Sequence, residues 1–263
     1  IKERPEYPPP EPSIAQRSTP MKKSPRTPKT EVRITWYGHS AFGFESPEGK
    51  CVLIDPWMEN PKAPAGAKEI ARVDAILLTH GHGDHIGNTV EIANRTGAMV
   101  FANYEVSLFL QSAGVNDVTG MNKSGTASLN GIKATMVDAT HSSGIETGES
   151  ILPGGDPAGF VVQFENGFTV CHAGDTGVFG DMGIIAELYR PDLAILPIGG
   201  FYTMGPKEAA KACQLLKPRH IIGMHYGTFP VLEGTPEDLQ RHLPPAMRKK
   251  VHILQPGETR GFA

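Results

Sequence analysis

Ligand-type side chains close four apolar runs of this chain. The run from Val73 to Thr79 leads straight into His80-Gly81-His82-Gly83-Asp84-His85. His141 follows Met136 to Thr140, Asp175 follows Val170 to Gly174, and His225 follows Ile221 to Met224. Each run reads as a strand. Imidazole and carboxylate are the ligands that borderline divalent metals such as zinc take. Any fold for this chain has to accommodate five histidines and two aspartates at four strand ends, more than a solvated surface accounts for.

The first cluster carries its own geometry. His80 and His82 are two residues apart, so in an extended segment they point to the same side. Asp84 and His85 follow a turn at Gly83, and a helix begins within a few residues. The positive end of its dipole disfavours imidazolium, which is expected to keep His85 neutral and able to ligate. Gly81 and Gly83 let the backbone bend around a cation.

The rest of the chain divides into a Pro-rich lead and a strand-rich body. Residues 1–30 hold Pro8, Pro9 and Pro10 in a row, with Lys22, Lys23, Arg26 and Lys29 further on. Such a stretch buries too little apolar surface to offset its ordering entropy. It is expected to be an extended arm, partly polyproline II, or a wrap around a neighbouring subunit. From residue 31 to 263 one domain is expected. Asn130-Gly131 and Asn166-Gly167 each sit between apolar runs, which predicts hairpins with positive φ at both turn residues.

Helices are predicted from Asn88, with Glu91 completing a capping box, to Gly97, and over Glu105 to Ala113. Two more are predicted from Pro206 at a first helical position to Pro218, and from Thr235-Pro236 onward. Val251 to Leu254 reads as a closing strand. Hairpins first, then strand–helix alternation, predict an α/β fold of two sheets with helices outside.

Composition narrows the partners. A net charge of −3 over 263 residues gives no mark of a nucleic-acid binder. No apolar run reaches the roughly 18 residues of a membrane span. Cys51, Cys171 and Cys213 form no CxxC pattern and leave an odd one out, so buried reduced thiols are expected rather than a disulfide framework. Reduced thiols and the lack of a secretory apolar core after Ile1 favour the cytoplasm, with a periplasmic or secreted place if a leader precedes Ile1.

The segments His80 to His85, His141, Cys171 to Asp175 and His225 resemble the metallo-β-lactamase superfamily in order and context. Trp36 to Phe42, Leu53 to Pro56 and Gly223 to Pro230 resemble one branch, the metal-dependent hydrolases similar to the ascorbate-6-phosphate lactonase group. The resemblance covers residues 32 to about 254. It implies a four-layer αββα sandwich with the site at one edge of the sheets. It implies that His80, His82 and His141 hold a first metal, that Asp84, His85 and His225 hold a second, and that Asp175 bridges them. It also implies two divalent ions, zinc foremost, with manganese, iron or nickel as alternatives, and a homo-oligomer.

The chemistry of the residues agrees. Two cations about 3.5–4 Å apart share a water and bring its pKa toward neutrality. Asp84 and Asp175 are candidates for orienting that nucleophile and carrying its proton. The expected activity is a dinuclear metal-dependent hydrolase using a metal-bridging hydroxide on a small-molecule ester, lactone, thioester or phosphoester. A nuclease of the same superfamily and a non-catalytic metal-binding protein are the alternatives. A redox di-iron protein would need an electron-carrier domain that the sequence lacks.

Other residues take supporting expectations. Asp55 ends a strand and is a candidate for orienting a ligand histidine. His39 is a candidate for protonating a leaving group or binding an anionic one, or else a hydrogen-bonded structural histidine. His172 is expected to be packed or to support a ligand, and His220, His242 and His252 to be surface or strand histidines. Tyr226 either donates to an oxyanion or packs. The stretch from Ser142 to Ala158 is expected to be a lid without structure of its own or a solvated connection. Ile198 to Met204 is a candidate pocket wall.

Overall fold

Alternation sets the first strand: Val32, Ile34 and Trp36 point inward while Arg33 faces solvent. The computed structural model describes residues 30–148 and 150–263. The arm expected over residues 1–30 lies, but for Thr30, outside the described residues. The first half of the chain runs β1 (Val32–Trp36), β2 (Phe42–Glu45), β3 (Cys51–Ile54), β4 (Ala75–Leu77), α1 (Gly83–Ile86), α2 (Thr89–Thr96), β5 (Met99–Asn103), α3 (Tyr104–Ser112) and β6 (Val118–Met121). The second half begins with β7 (Thr126–Leu129), β8 (Ile132–Asp138), β9 (Gly144–Glu146), β10 (Ile151–Pro153), β11 (Ala158–Gln163) and β12 (Thr169–His172). It continues through α4 (Met182–Tyr189), β13 (Leu193–Pro197), α5 (Pro206–Leu216), β14 (His220–Met224), α6 (Pro236–His242), α7 (Pro245–Arg248), β15 (Val251–His252) and β16 (Thr259–Phe262).

Two seven-stranded sheets result. One has the order β16-β1-β2-β3-β4-β5-β6, the other β15-β14-β13-β12-β11-β8-β7. Both change from antiparallel to parallel partway across: β3 pairs β4 in parallel, and β12 pairs β13 in parallel. Trp36, Phe42, Phe44 and Ile54 of the first sheet meet Met136, Phe160, Val162 and Ile195 of the second, all at most 1% exposed. Each such side chain contributes about 1.5–3 kcal/mol by leaving water.

Helices cover the outer faces. Ala209, Ala210, Ala212 and Cys213 of α5 lie on Ala194, Leu196 and Ile221, and their small side chains let the helix approach the sheet closely. Ile92, Val106 and Leu110 of α2 and α3 lie on Leu53, Ile76 and Val100. The layers are therefore αββα, as expected. No helix among the described residues is long and apolar enough to cross a membrane.

Several local expectations need correction. Asn88 does precede α2, but it makes no side-chain cap. Its Oδ1 accepts from Met58 N at 2.9 Å and its Nδ2 donates to Glu91 at 3.2 Å, so the pair ties a loop instead of closing a capping box. Asn130 and Gly131 both take positive φ (51° and 102°), whereas at the second hairpin only Gly167 does. There Asn166 Oδ1 accepts from Phe168 N and holds the turn by side chain. The strand at Val251 stops at His252, and β16 follows it to join the other sheet beside β1, with Val32 opposite Phe262. The stretch after Ser142 is not structureless: β9 and β10 form a hairpin that buries Ile145.

Candidate metal centre

Parallel strands place their C-terminal ends on one edge, and the ligand-type residues leave from those ends. His80 to His85 follow β4 and open α1. His141 follows β8, Asp175 follows β12 and His225 follows β14. Gly174 makes the approach of Asp175 possible: its φ is +61°, and a Cβ there would meet Ala158 O at 2.5 Å and Thr79 Cβ at 2.9 Å.

The seven side chains converge. His80, His82 and His141 form one group with ligand atoms within 4.8 Å of one another; Asp84, His85 and His225, with His39, form a second. Asp175 Oδ2 lies between the groups, 2.9 Å from His225 Nε2, 3.2 Å from His85 Nε2 and 3.7 Å from His141 Nε2. His225 Nε2 is 3.9 Å from Asp84 Oδ2, and His80 Nε2 is 2.9 Å from His82 Nδ1.

A buried carboxylate behind the cluster sets two of its tautomers. Asp55, at φ 48° and without solvent exposure, accepts Thr79 N on Oδ1 at 2.9 Å and the Thr79 hydroxyl on Oδ2 at 2.7 Å. It also lies 2.8 Å from His85 Nδ1. That nitrogen donates to Asp55, so His85 Nε2 faces the cluster. With its proton given to Asp55, Thr79 Oγ1 accepts from His80 Nδ1 at 3.0 Å, which turns the His80 Nε2 lone pair inward. Asp55 thereby supports a ligand histidine, as expected from its place at a strand end.

These residues fit divalent cations. His85 Nε2 and Asp175 Oδ1 are buried without a hydrogen-bond partner, and His85 Nε2 reaches Asp175 Oδ2 at 3.2 Å without hydrogen-bond geometry. Buried polar atoms left this way are costly unless something meets them, and a cation between imidazole and carboxylate does so.

Burial depresses the His80, His82 and His141 imidazoles below their ordinary value, so they are neutral and ready to ligate. His85 differs from the expectation based on the helix end. Burial would depress it, but Asp175, Asp55 and Asp84 together hold it well above its ordinary value. Three carboxylates outweigh one short helix. Burial likewise opposes ionisation of Asp175, and His225 and His85 overcome it, holding the carboxyl well below its usual range.

His39 sits beneath this cluster, not in the cleft. Its φ is 50° and it has no solvent exposure. Nε2 lies 3.0 Å from Asp84 Oδ2 and Nδ1 lies 2.9 Å from Thr228 Oγ1. Burial lowers its pKa to about 4 against the hydrogen bond to Asp84. An ionised Asp84 accepts a hydrogen bond from the Nε2 N–H, so Nδ1 accepts from the Thr228 hydroxyl.

The cleft above is about 570 Å³ and is lined by Trp57, Ser142, Glu146, Tyr202 and Phe229 around the ligand side chains. A hollow of about 630 Å³ at Arg190, Lys217 and Arg219 lies at the opposite end of β13 and holds no comparable ligand group. His172 is packed: its Nε2 is 3.2 Å from Ser40 O, and Gly174 N donates to its Nδ1. His220 and His252 pair at 2.9 Å away from the cluster, and His242 ends α6. Tyr226 packs, stacked on Trp36 at 5.3 Å with Lys62 Nζ over its ring. Of the Ile198 to Met204 stretch, Tyr202 reaches the cleft. Thr79, Trp57, Thr228 and Phe229 received no role from the sequence, because a threonine or an aromatic beside a ligand has no spacing that sets it apart.

Residues 50–226 match the model of the beta-lactamase superfamily domain. A UPF0173 metal-dependent hydrolase of Rubrobacter xylanophilus is 49% identical over 233 residues, 88% of this chain and 96% of the relative. One from Methanosarcina barkeri is 49% identical over 229 residues, 87% of this chain and 97% of the relative. Among solved structures, Igni18, a metallo hydrolase from the archaeon Ignicoccus hospitalis, is similar with a TM-score of 0.80 and 38% identity, covering 89% of this chain and 99% of that one.

Proposed function

Because this chain belongs to the beta-lactamase superfamily and, within it, to the UPF0173 metal-dependent hydrolases, we propose that it cleaves a small ester, lactone, thioester or phosphoester at a dinuclear centre. His80, His82 and His141 would hold one cation and Asp84, His85 and His225 the other, with Asp175 within reach of both groups. Zinc is the first choice for this donor set, with manganese, iron and nickel behind it. The observation that carries the reading is the position of Asp175 Oδ2, within 3.7 Å of imidazole nitrogens from both groups.

Bound there, two cations supply a nucleophilic water near neutral pH and a Lewis acid for the substrate oxygen. The remaining work belongs to the chain. Asp55 and Thr79 fix the tautomers of His85 and His80. Asp84, with a side chain 27% exposed, faces the cleft, whereas Asp175 is 2% exposed. Burial opposes ionisation of Asp84, but His85 and His39 hold its carboxyl well below the usual carboxylate range. Asp84 therefore stays charged and is the carboxylate placed to accept a hydrogen bond from the attacking water and orient it. His39 acts through Asp84 as a positioning residue. Its depressed pKa leaves it without a proton to give a leaving group at neutral pH.

Metal analysis of freshly purified protein, followed by turnover of lactones, thioesters, esters and phosphodiesters, tests this reading. About two cations per chain and turnover in at least one class are expected. Asp84→Ala is expected to lose roughly 10²- to 10⁴-fold in kcat while keeping its fold. Unchanged turnover in that variant, or protein that takes up no metal, would overturn the reading. Self-association belongs to the same proposal, and sedimentation of the full chain checks it.

A further inference from the structure

The border of the cleft carries aromatic rings and, beyond the ligand histidines, no lysine or arginine. Trp57, from the loop after β3, and Phe229, from the loop after β14, stack with centroids 6.0 Å apart. Tyr202, from the loop after β13, lines the same cleft, and Phe201 meets it edge to face at 4.8 Å. Phe201 and Tyr202 are 76% and 55% exposed. The charged residues lining the cleft are Asp84, Glu146 and Asp175, with no lysine or arginine among them.

The Phe201 backbone gives a second, independent sign. Its φ is 61°, and Tyr202 N donates to Gly200 O at 2.8 Å, two residues back. A bulky residue in such a turn is an outlier, and a conformation of this kind costs roughly 1–3 kcal/mol. It is held in place from below: Gly200 N donates to Met204 O at 3.0 Å, and Met204 N donates to Thr176 O at 3.1 Å. Thr176 is the residue after Asp175. A strained turn tethered to the candidate metal centre thus holds two large rings out in water beside the cleft. Strain and apolar exposure together mark a ligand-contacting segment rather than a connection.

We propose that the substrate is an uncharged small molecule carrying an aromatic ring. The ring stacks among Trp57, Phe229, Tyr202 and Phe201, and the scissile bond lies at Asp84 and Asp175. Rings stack on aromatic side chains irrespective of polar detail, which favours planar groups over short alkyl ones. A nucleic acid could stack here as well, but its backbone needs a basic groove, and Glu146 stands where one would run. This inference rests on the hydrolase reading for the bond broken, and on the cleft alone for the ring.

The test uses the full chain loaded with zinc and compares methyl phenylacetate with methyl acetate, which differ by the ring alone. A single-stranded RNA and a nitrophenyl phosphodiester of thymidine complete the panel. Binding is followed separately, by quenching of Trp57 fluorescence with phenylacetamide; the chain has two tryptophans, and Trp36 is buried. Methyl phenylacetate is expected to show a kcat/KM at least about tenfold higher, as one stacked ring supplies. Tyr202→Ala and Phe229→Ala should shrink that ratio mainly through KM, and both should weaken quenching.

Equal kcat/KM for the two esters without quenching overturns the aromatic slot and leaves the hydrolase standing. Quenching that Tyr202→Ala removes, without turnover of any compound here or of the lactones and thioesters tested above, keeps the slot and overturns the hydrolase. RNA cleaved faster than either ester overturns the proposal in favour of a nuclease.

Discussion

Asp55 Oδ2 lies 2.8 Å from His85 Nδ1, both side chains without solvent exposure, and the same oxygen accepts the Thr79 hydroxyl that receives His80. One carboxylate thus orients an imidazole in each half of the candidate centre. Asp55→Asn keeps the shape and tolerates the positive φ, but removes the charge and disturbs both tautomers. Its cation affinity is expected to fall about 10- to 100-fold, measured by competition with a chelator. Thr79→Val should lose less, since it disturbs His80 alone. Unchanged affinity in Asp55→Asn would separate Asp55 from the metal.

His39 offers a contrast in kind. If it positions Asp84, His39→Gln should retain part of the activity, because an amide can still donate to Asp84 Oδ2, while His39→Ala should lose more. Neither variant should move the acid limb of the pH–rate profile above pH 6, since the ring is neutral down to about 4. A shift of that limb in His39→Gln would make His39 a proton donor instead.

Burial pushes the Cys171 and Cys213 thiols up to about 12 from an ordinary value of 9.0. Above pH 9 the unfolded chain gives up these protons while the native protein keeps them. The unfolded state then binds fewer protons, so stability falls as pH rises from 9 toward 12. The slope should be roughly 1.4 kcal/mol per pH unit for each thiol. Urea midpoints at pH 8.5 and 10.5 check it, and Cys213→Ala should flatten the fall.

Phe201→Gly is expected to raise stability by about 1 kcal/mol, because glycine takes positive φ without strain and a ring this exposed gives up little packing. A higher Tm together with a poorer KM for methyl phenylacetate is the expected pair of results. A lower Tm would show that the turn is not strained.

The ligand residues were legible because their signal is local. A histidine or aspartate directly after an apolar run is visible without knowing what lies beside it, and His80 to His85 also carries its spacing. Asp55 was legible for the same reason. The β16 strand was not: Thr259–Phe262 is short and polar, and its reason to be a strand is β1, more than two hundred residues earlier. The α4 helix escaped because its run, with Ile184, Ile185 and Leu188, lacks a polar face, and Ile184 and Leu188 remain exposed. The electrostatics of His85 depended on three carboxylates that only folding brings together. Tyr226 looked placed for chemistry beside His225, but the strand end turns its ring onto Trp36.

The candidate ligands come from both sheets: His80 to His85 leave the first, and His141, Asp175 and His225 leave the second. A cation gripped among them clasps two halves of the molecule that otherwise meet through apolar contact and scattered hydrogen bonds, such as Ala158 N to Thr79 O. Any ligand that favours the native state stabilises it, by about 2.7 kcal/mol at a hundredfold excess over its Kd. Stripping the ions should therefore lower Tm as well as abolish turnover. In a cell starved of metal, this protein would fall in abundance as well as in activity.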